Sequence, residues 1–212
     1  MNPFIWALAL WFCIAQSAWA KPVSYAGGWS AMQMNDGDTH SLGVTYSPTA
    51  EYSIGYLGEY RRDTDWMYQG AQFNLLLKRI NLPKSQANFY LKSGIGAALA
   101  NPFGRAETSS AATFGGFLAD WEDRRYFVSY ENMGMYAGDI DKFFEQKARV
   151  GIAPYIGDYG DLHTWLMFEV KHEATENNLT YTPLLRFFYG DVLAEIGASN
   201  EEKIFTHLMI NF

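Results

Sequence analysis

Residues 52–61 read Tyr52-Ser53-Ile54-Gly55-Tyr56-Leu57-Gly58-Glu59-Tyr60-Arg61. Tyr52, Ile54, Tyr56, Gly58 and Tyr60 fall on one parity, and Ser53, Gly55, Leu57, Glu59 and Arg61 on the other. Successive side chains of a strand point to opposite faces. The stretch is therefore a strand with one aromatic and aliphatic face and one face of small and charged groups. The same alternation recurs on either side of it. Leu42, Val44 and Tyr46 alternate with Ser41, Gly43 and Thr45, and Phe89, Leu91, Ile95 and Leu99 with Asn88, Lys92, Gly94 and Gly96. Further on, Phe144, Ala148, Val150 and Ile152 alternate with Glu145, Lys147, Arg149 and Gly151. Leu162, Leu166, Phe168 and Val170 do so with His163, Glu169 and Lys171.

Turn chemistry separates these runs about every 16 residues. Asn35-Asp36-Gly37-Asp38 is the strongest hairpin signal, since Asp-Gly suits the positive φ of a type I′ turn. Breaks follow at Ser47-Pro48-Thr49, Arg62-Asp63-Thr64-Asp65, Pro83-Lys84-Ser85, Asn101-Pro102-Phe103-Gly104 and Glu122-Asp123-Arg124. Others lie at Gly138-Asp139, 157–161, 176–178, Gly190-Asp191 and Ser199-Asn200-Glu201. These breaks delimit about twelve strands, or ten if Val192–Ser199 is not an independent strand, and an even number suits a single-chain barrel.

Composition agrees with a strand protein in which charge is scarce. Charged residues make up 18% of the 212, aromatics 17%, and there are 19 glycines. The net charge of −7 argues against nucleic acid as a partner, because a phosphate backbone needs a basic face. The first twenty residues stand apart. Asn2–Ala20 has no charged side chain, and it ends in the A-x-A pattern Ala18-Trp19-Ala20 before Lys21. That reads as a cleaved secretory signal peptide over 1–20, leaving 21–212 as the barrel. Its n-region has no Lys or Arg, and the competing reading is an uncleaved anchor. Cys13, the single cysteine, lies in this segment behind Phe12, where a lipoprotein signal wants a small residue. No thiol chemistry, disulfide or cysteine-based zinc site remains beyond it, and no cofactor is implied.

After Lys21 there is no uncharged run of 18 residues to span a bilayer as a helix. A strand protein spans lipid only by closing on itself, because every backbone N–H and C=O must be paired. Aromatics gather near strand ends: Tyr46 and Tyr52 at one turn, Tyr60, Trp66 and Tyr68 at the next, Trp121 and Tyr126 at another. This is the placement of interfacial girdles. A soluble β-sandwich is the competing architecture.

The last nine residues, Ile204 to Phe212, place Ile204, Leu208, Ile210 and Phe212 on one parity with Thr206 as the polar member. The terminus resembles the β-signal of small bacterial outer-membrane β-barrel proteins, with Leu208, Ile210 and Phe212 as its matching positions. The resemblance implies an up-and-down antiparallel barrel in the outer membrane, with lipid and the barrel-assembly machinery as partners. It is silent on activity. With both termini periplasmic, the Asp36 turn is external and the Pro48 turn internal, and the external loops are all short.

Taking the more apolar face of each strand as lipid-facing leaves a charged lumen of Glu59, Arg61, Lys92, Glu131, Glu145, Lys147, Arg149, Glu169, Lys171, Arg186 and Glu195. Gln72, Asn74, His163 and His207 join them. Charges withdrawn from water need partners, so ion pairs across the interior are expected. A satisfied structural network and a charged constriction for small solutes both fit. Two other chemistries stay open. A rim-located lipid-modifying enzyme needs a base beside a hydroxyl, and His40 with Ser41 is the nearest pair, although adjacent strand residues face opposite ways. Met32-Gln33-Met34 and Met133-Gly134-Met135 each place two thioethers on one face, a donor set for a soft ion such as Cu(I). Met is also a common packing residue.

Overall fold

The structure, a computed structural model, describes residues 21–104, 108–158, 160–175 and 177–212. Twelve strands follow one another: β1 Trp29–Asn35, β2 Thr39–Tyr46, β3 Tyr52–Arg61, β4 Trp66–Asn81, β5 Ser85–Ala100 and β6 Thr108–Asp123. The second half is β7 Tyr126–Tyr136, β8 Lys142–Ile152, β9 His163–Glu173, β10 Asn178–Tyr189, β11 Val192–Ala198 and β12 Ile204–Asn211. Each pairs antiparallel with its chain neighbours, and β1 pairs with β12, so the sheet is a closed barrel. Val192–Ala198 is a strand in its own right, which settles the count at twelve. Closure removes the unpaired edges that an open sheet presents.

The seam runs from Ser30↔Asn211 to Asn35↔Thr206. Trp29 and Phe212 exchange both backbone hydrogen bonds, at 2.7 and 2.9 Å, and the Ser30 hydroxyl donates to Asn211 Oδ1 at 2.6 Å. Leu208 and Ile210 point outward on β12, and Phe212, just past its end, is 63% exposed. The start of β1 and the end of β12 thus lie at one end of the barrel, here the terminus end; the β1–β2 turn marks the distal end.

Alternation holds around the wall. Ile54, Tyr56, Phe73, Leu91, Ile95, Val128, Phe144, Val150, Phe168 and Ile196 are exposed, while their parity partners line the interior. Two details depart from the sequence reading. The β1–β2 turn has a positive φ at Gly37 (96°) and not at Asp36, so it is not a type I′ turn. It is held instead by Asp36 Oδ1, which accepts from the N–H groups of Asp38 and Thr39. Trp66 and Tyr68 are not girdle residues. They turn into the barrel, 1% and 0% exposed, because β4 directs its even positions inward, as Gln72 and Asn74 also show.

The wall turns sharply where inward positions are glycine. A Cβ on Gly55 would lie 2.0 Å from Val44 O, and one on Gly96 would lie 2.1 Å from Gln69 O. No other residue lets β2 and β3, or β4 and β5, approach this closely. A register shift between Leu76 and Lys78 bends β4 further.

Candidate functional site

The interior of the barrel is where chemistry-bearing side chains converge. It is built from two apolar clusters and a set of paired charges. One cluster holds Trp66, Tyr68, Phe114, Met133, Met135 and Phe143. Tyr68 and Phe114 meet edge-on with ring centroids 5.6 Å apart, and Trp66 Nε1 donates to Asp141 Oδ2 at 2.8 Å. The other cluster holds Phe127, Trp165, Met167, Leu184 and Phe205, with Met34 packed against it. These rings occupy space that a wide porin leaves to water.

The charged residues divide among three levels. Near the distal end Arg61 Nη2 donates to both oxygens of Glu173, at 2.8 and 2.9 Å, with the guanidinium 4.0 Å from the centre of the Phe143 ring. Lys171 bridges Asp36 at 2.8 Å and Glu145 at 3.8 Å, and Lys147 meets Glu145 at 3.0 Å. Midway, Glu195 is fully enclosed and gathers Arg186 at 2.5 Å, His207 Nδ1 at 2.8 Å and Arg149 at 3.2 Å. Arg149 Nε also donates to Glu169. Across from this set, Lys92 meets Glu131 at 2.5 Å. Arg149 and Arg186 sit over the Phe205 and Phe127 rings, at 5.4 and 4.8 Å. Such positions add cation–π attraction to the ion pairs.

Glu59 is buried on the lumen face in the field of Glu145, Arg61 and Lys147. Among the described residues it has no ion-pair partner within 4.0 Å. The remaining ten charged residues named from the sequence are each in an ion pair, but not always with one another. Arg61 pairs with Glu173 and Lys171 with Asp36, neither of which alternation marked as lumen.

At the terminus end there is a third polar level that alternation did not reveal. Lys21 donates to Gln86 Oε1 and lies 3.4 Å from Glu122. Asn88 Nδ2 donates to Asp120 at 2.7 Å, and Arg79 Nε donates to Asn88 Oδ1 at 2.8 Å. Burial pushes the Lys21 ammonium below the ordinary lysine range, although Glu122 and Asp120 oppose this. Lys21 precedes the first strand, where no alternation exists to read.

The methionine pairs lie on β1 and β7, which are six strands apart in either direction around the ring. Met133 and Met135 pack among aromatic rings of one cluster, and Met34 packs against the other. The structure does not bring the four thioethers together. Nor does it pair His40 with Ser41, since Ser41 is buried inside and His40 stands with the outward residues. No group of three or more His, Cys, Asp or Glu with metal-binding spacing occurs among the described residues. The signal-peptide reading concerns residues 1–20, outside the described residues.

No protein-family profile and no curated protein matches this sequence. Solved structures do. A porin, KdgM, superposes with a TM-score of 0.52 at 7% identity, covering 87% of this chain and 98% of its own. The same porin in complex with disordered oligogalacturonate gives the same values. OccAB1 of Acinetobacter baumannii is at TM-score 0.45 and 8% identity, over 84% of this chain and 60% of its own. At these identities the likeness is one of fold. The chain is thus a closed twelve-stranded antiparallel barrel with the porin-like fold of bacterial outer-membrane proteins.

Proposed function

We propose that this is an outer-membrane barrel with a narrow, internally obstructed and charged lumen, acting as a structural protein or minor channel for small solutes. The Arg61–Glu173 pair carries this reading. β3 and β9 are diametrically placed in the ring, and two side chains suffice to join them. A lumen bridged in this way at one level, and filled by aromatic clusters, leaves room for little beyond water and small molecules.

The nature of the lumen also bears on what passes. Arg61, Lys92, Lys147, Arg149, Lys171 and Arg186 each have a carboxylate partner within 3.0 Å. Cations so committed offer a polyanion no free track without breaking those pairs. Oligogalacturonate, the ligand of the KdgM complex, is therefore not the expected solute of this chain.

The outward apolar faces fit lipid, and β12, followed by Phe212, fits the assembly machinery that reads such termini. Cleavage after Ala20 would deliver the chain to that machinery. The deciding experiment records purified protein in planar bilayers, after fractionation and a boiled-against-unboiled gel have placed it in the outer membrane as a closed barrel. Small or absent conductance steps, unaffected by oligogalacturonate, are expected. Large steps of an open porin would overturn the obstructed-lumen reading, and protein found in the soluble periplasm would overturn the whole.

A further inference from the structure

Residues 21–28 precede β1 and have no strand partner, so nothing in the sheet requires them to enter the barrel. Residues 21–24 enter it nonetheless, while Tyr25, Ala26 and Gly27 stay exposed. Val23 is 1% exposed. The Pro22 carbonyl accepts from the Ser53 hydroxyl at 2.6 Å and from Asn74 Nδ2 at 3.5 Å, on the inner faces of β3 and β4. Ser24 N–H donates to Ser47 Oγ at 2.9 Å, and Gly27 N–H to Ser47 O at 2.7 Å. Lys21 then reaches the inner faces of β5 and β6 through Gln86 and Glu122. The segment is bound to four successive strands and to the turn after β2.

We propose that residues 21–24, tethered to β1 by residues 25–28, form a plug that closes the terminus-end mouth of the barrel. It is anchored at one end by Ser47 and at the other by the Lys21 ammonium among Gln86, Glu122 and Asp120. Its bonds are of a kind that permits withdrawal. Apart from Val23 it makes polar contacts, and those contacts exchange for water when the segment leaves. Buried polar side chains such as Ser53 and Asn74 are then left facing the opening, which favours re-entry. The plug lies at the opposite end from the Arg61–Glu173 bridge, so the lumen is obstructed at two separate levels.

This proposal rests on the small-solute reading only for its consequence, and its test is independent of conduction. Gln72 points inward on β4, deeper than Asn74, and is buried. In a Cys13→Ser background, Gln72→Cys is the one thiol of the chain. A water-soluble maleimide should label it slowly in the full-length segment. Deleting residues 21–24 should make labelling about tenfold faster, as expected when a local closure is removed. Lys21→Glu, which sets a carboxylate beside Glu122, should accelerate it in the same direction without shortening the chain. A boiled-against-unboiled gel identifies which variants form the barrel, and either one that does is sufficient. Labelling that stays at the parental rate in a folded variant overturns the plug. Faster labelling with no gain in bilayer conductance upholds the plug and counts against the channel.

Discussion

Arg61 and Glu173 stand on strands six apart in a ring of twelve, the greatest separation the wall allows, yet their side chains meet at 2.8 and 2.9 Å. The contact is a strut across the lumen. Removing the arginine should open the distal level and leave Glu173 without its partner. Arg61→Ala is expected to raise single-channel conductance and to lower stability, by less than the roughly 3–5 kcal/mol of stranding a fully buried charge, because the Glu173 side chain is 16% exposed. Bilayer recording reads the first effect and urea titration the second. Unchanged conductance in a folded variant would show that the strut does not limit passage.

Glu195 is the hub of the middle level, since Arg149, Arg186 and His207 all converge on it from β8, β10 and β12. Glu195→Gln keeps the shape and removes the charge that holds two guanidiniums together. The predicted outcome is a barrel that converts to the unfolded gel form at lower temperature, with a loss of about 3–5 kcal/mol. Glu131→Gln disturbs a single pair, Lys92–Glu131, and should cost less. Equal losses in both would mean that convergence on Glu195 has no special weight.

Much of this architecture could be read from the sequence, and the reasons are particular. A strand's period of two sets outward-facing Phe144 and Val150 against inward-facing Glu145 and Arg149 without reference to any other strand. The same rule is blind to aromatic residues facing inward. Trp66 and Tyr68 suit an interfacial girdle and a filled lumen equally, and only their parity with Gln72 and Asn74 on β4 decides between the two. Partners across the barrel are likewise invisible locally, because Arg61 and Glu173 are 112 residues apart and are joined by closure of the ring. Lys21 lies outside any alternating segment, so its burial follows from the tertiary path alone.

The outward face admits a direct check of its solvent. Phe168 is the central residue of the eleven-residue strand β9, is exposed, and stacks on Tyr181 of β10 at 6.3 Å. Spanning strands are about 9–11 residues long, so if this face meets lipid, as proposed, Phe168 sits near the bilayer midplane. Phe168→Arg should therefore destabilise the folded barrel by about 2–4 kcal/mol in lipid. The same substitution on a water-facing surface costs little, so a near-neutral result from urea titration in vesicles would deny that this face meets lipid.

Acid should weaken the distal end at a definable pH. Burial pushes the Asp36 carboxyl up, but Lys171 and Lys147, with hydrogen bonds from Lys171 and the Thr39 N–H, outweigh it and hold the group at about 2. Its ordinary value is 3.8, so the folded state favours the charged form. The stability this gives is fully present above the ordinary value and is lost as pH falls toward about 2. Asp36→Asn should be less stable than the parent by up to about 2 kcal/mol at neutral pH, and the two should converge near pH 2. Unfolding curves taken across that interval test it; a constant difference would assign the loss to turn geometry, since Asp36 also caps Thr39.

The methionine pairs end as packing in this structure, and that too has a measurable consequence. Met135 is 4% exposed among Trp66, Tyr68, Phe114 and Phe143, and the thioethers of β1 lie six strands away. A volume-conserving Met135→Leu should cost less than about 1.5 kcal/mol. Met135→Ala should cost about 2–5 kcal/mol through the cavity it leaves. Titration with Cu(I) under reducing conditions should give the same uptake for the parent and for a chain with Leu at positions 32, 34, 133 and 135. Uptake by the parent that the four-Leu chain lacks would support the soft-ion reading of the two M-x-M pairs. It would also require the aromatic cluster around Met133 and Met135 to open when the ion binds.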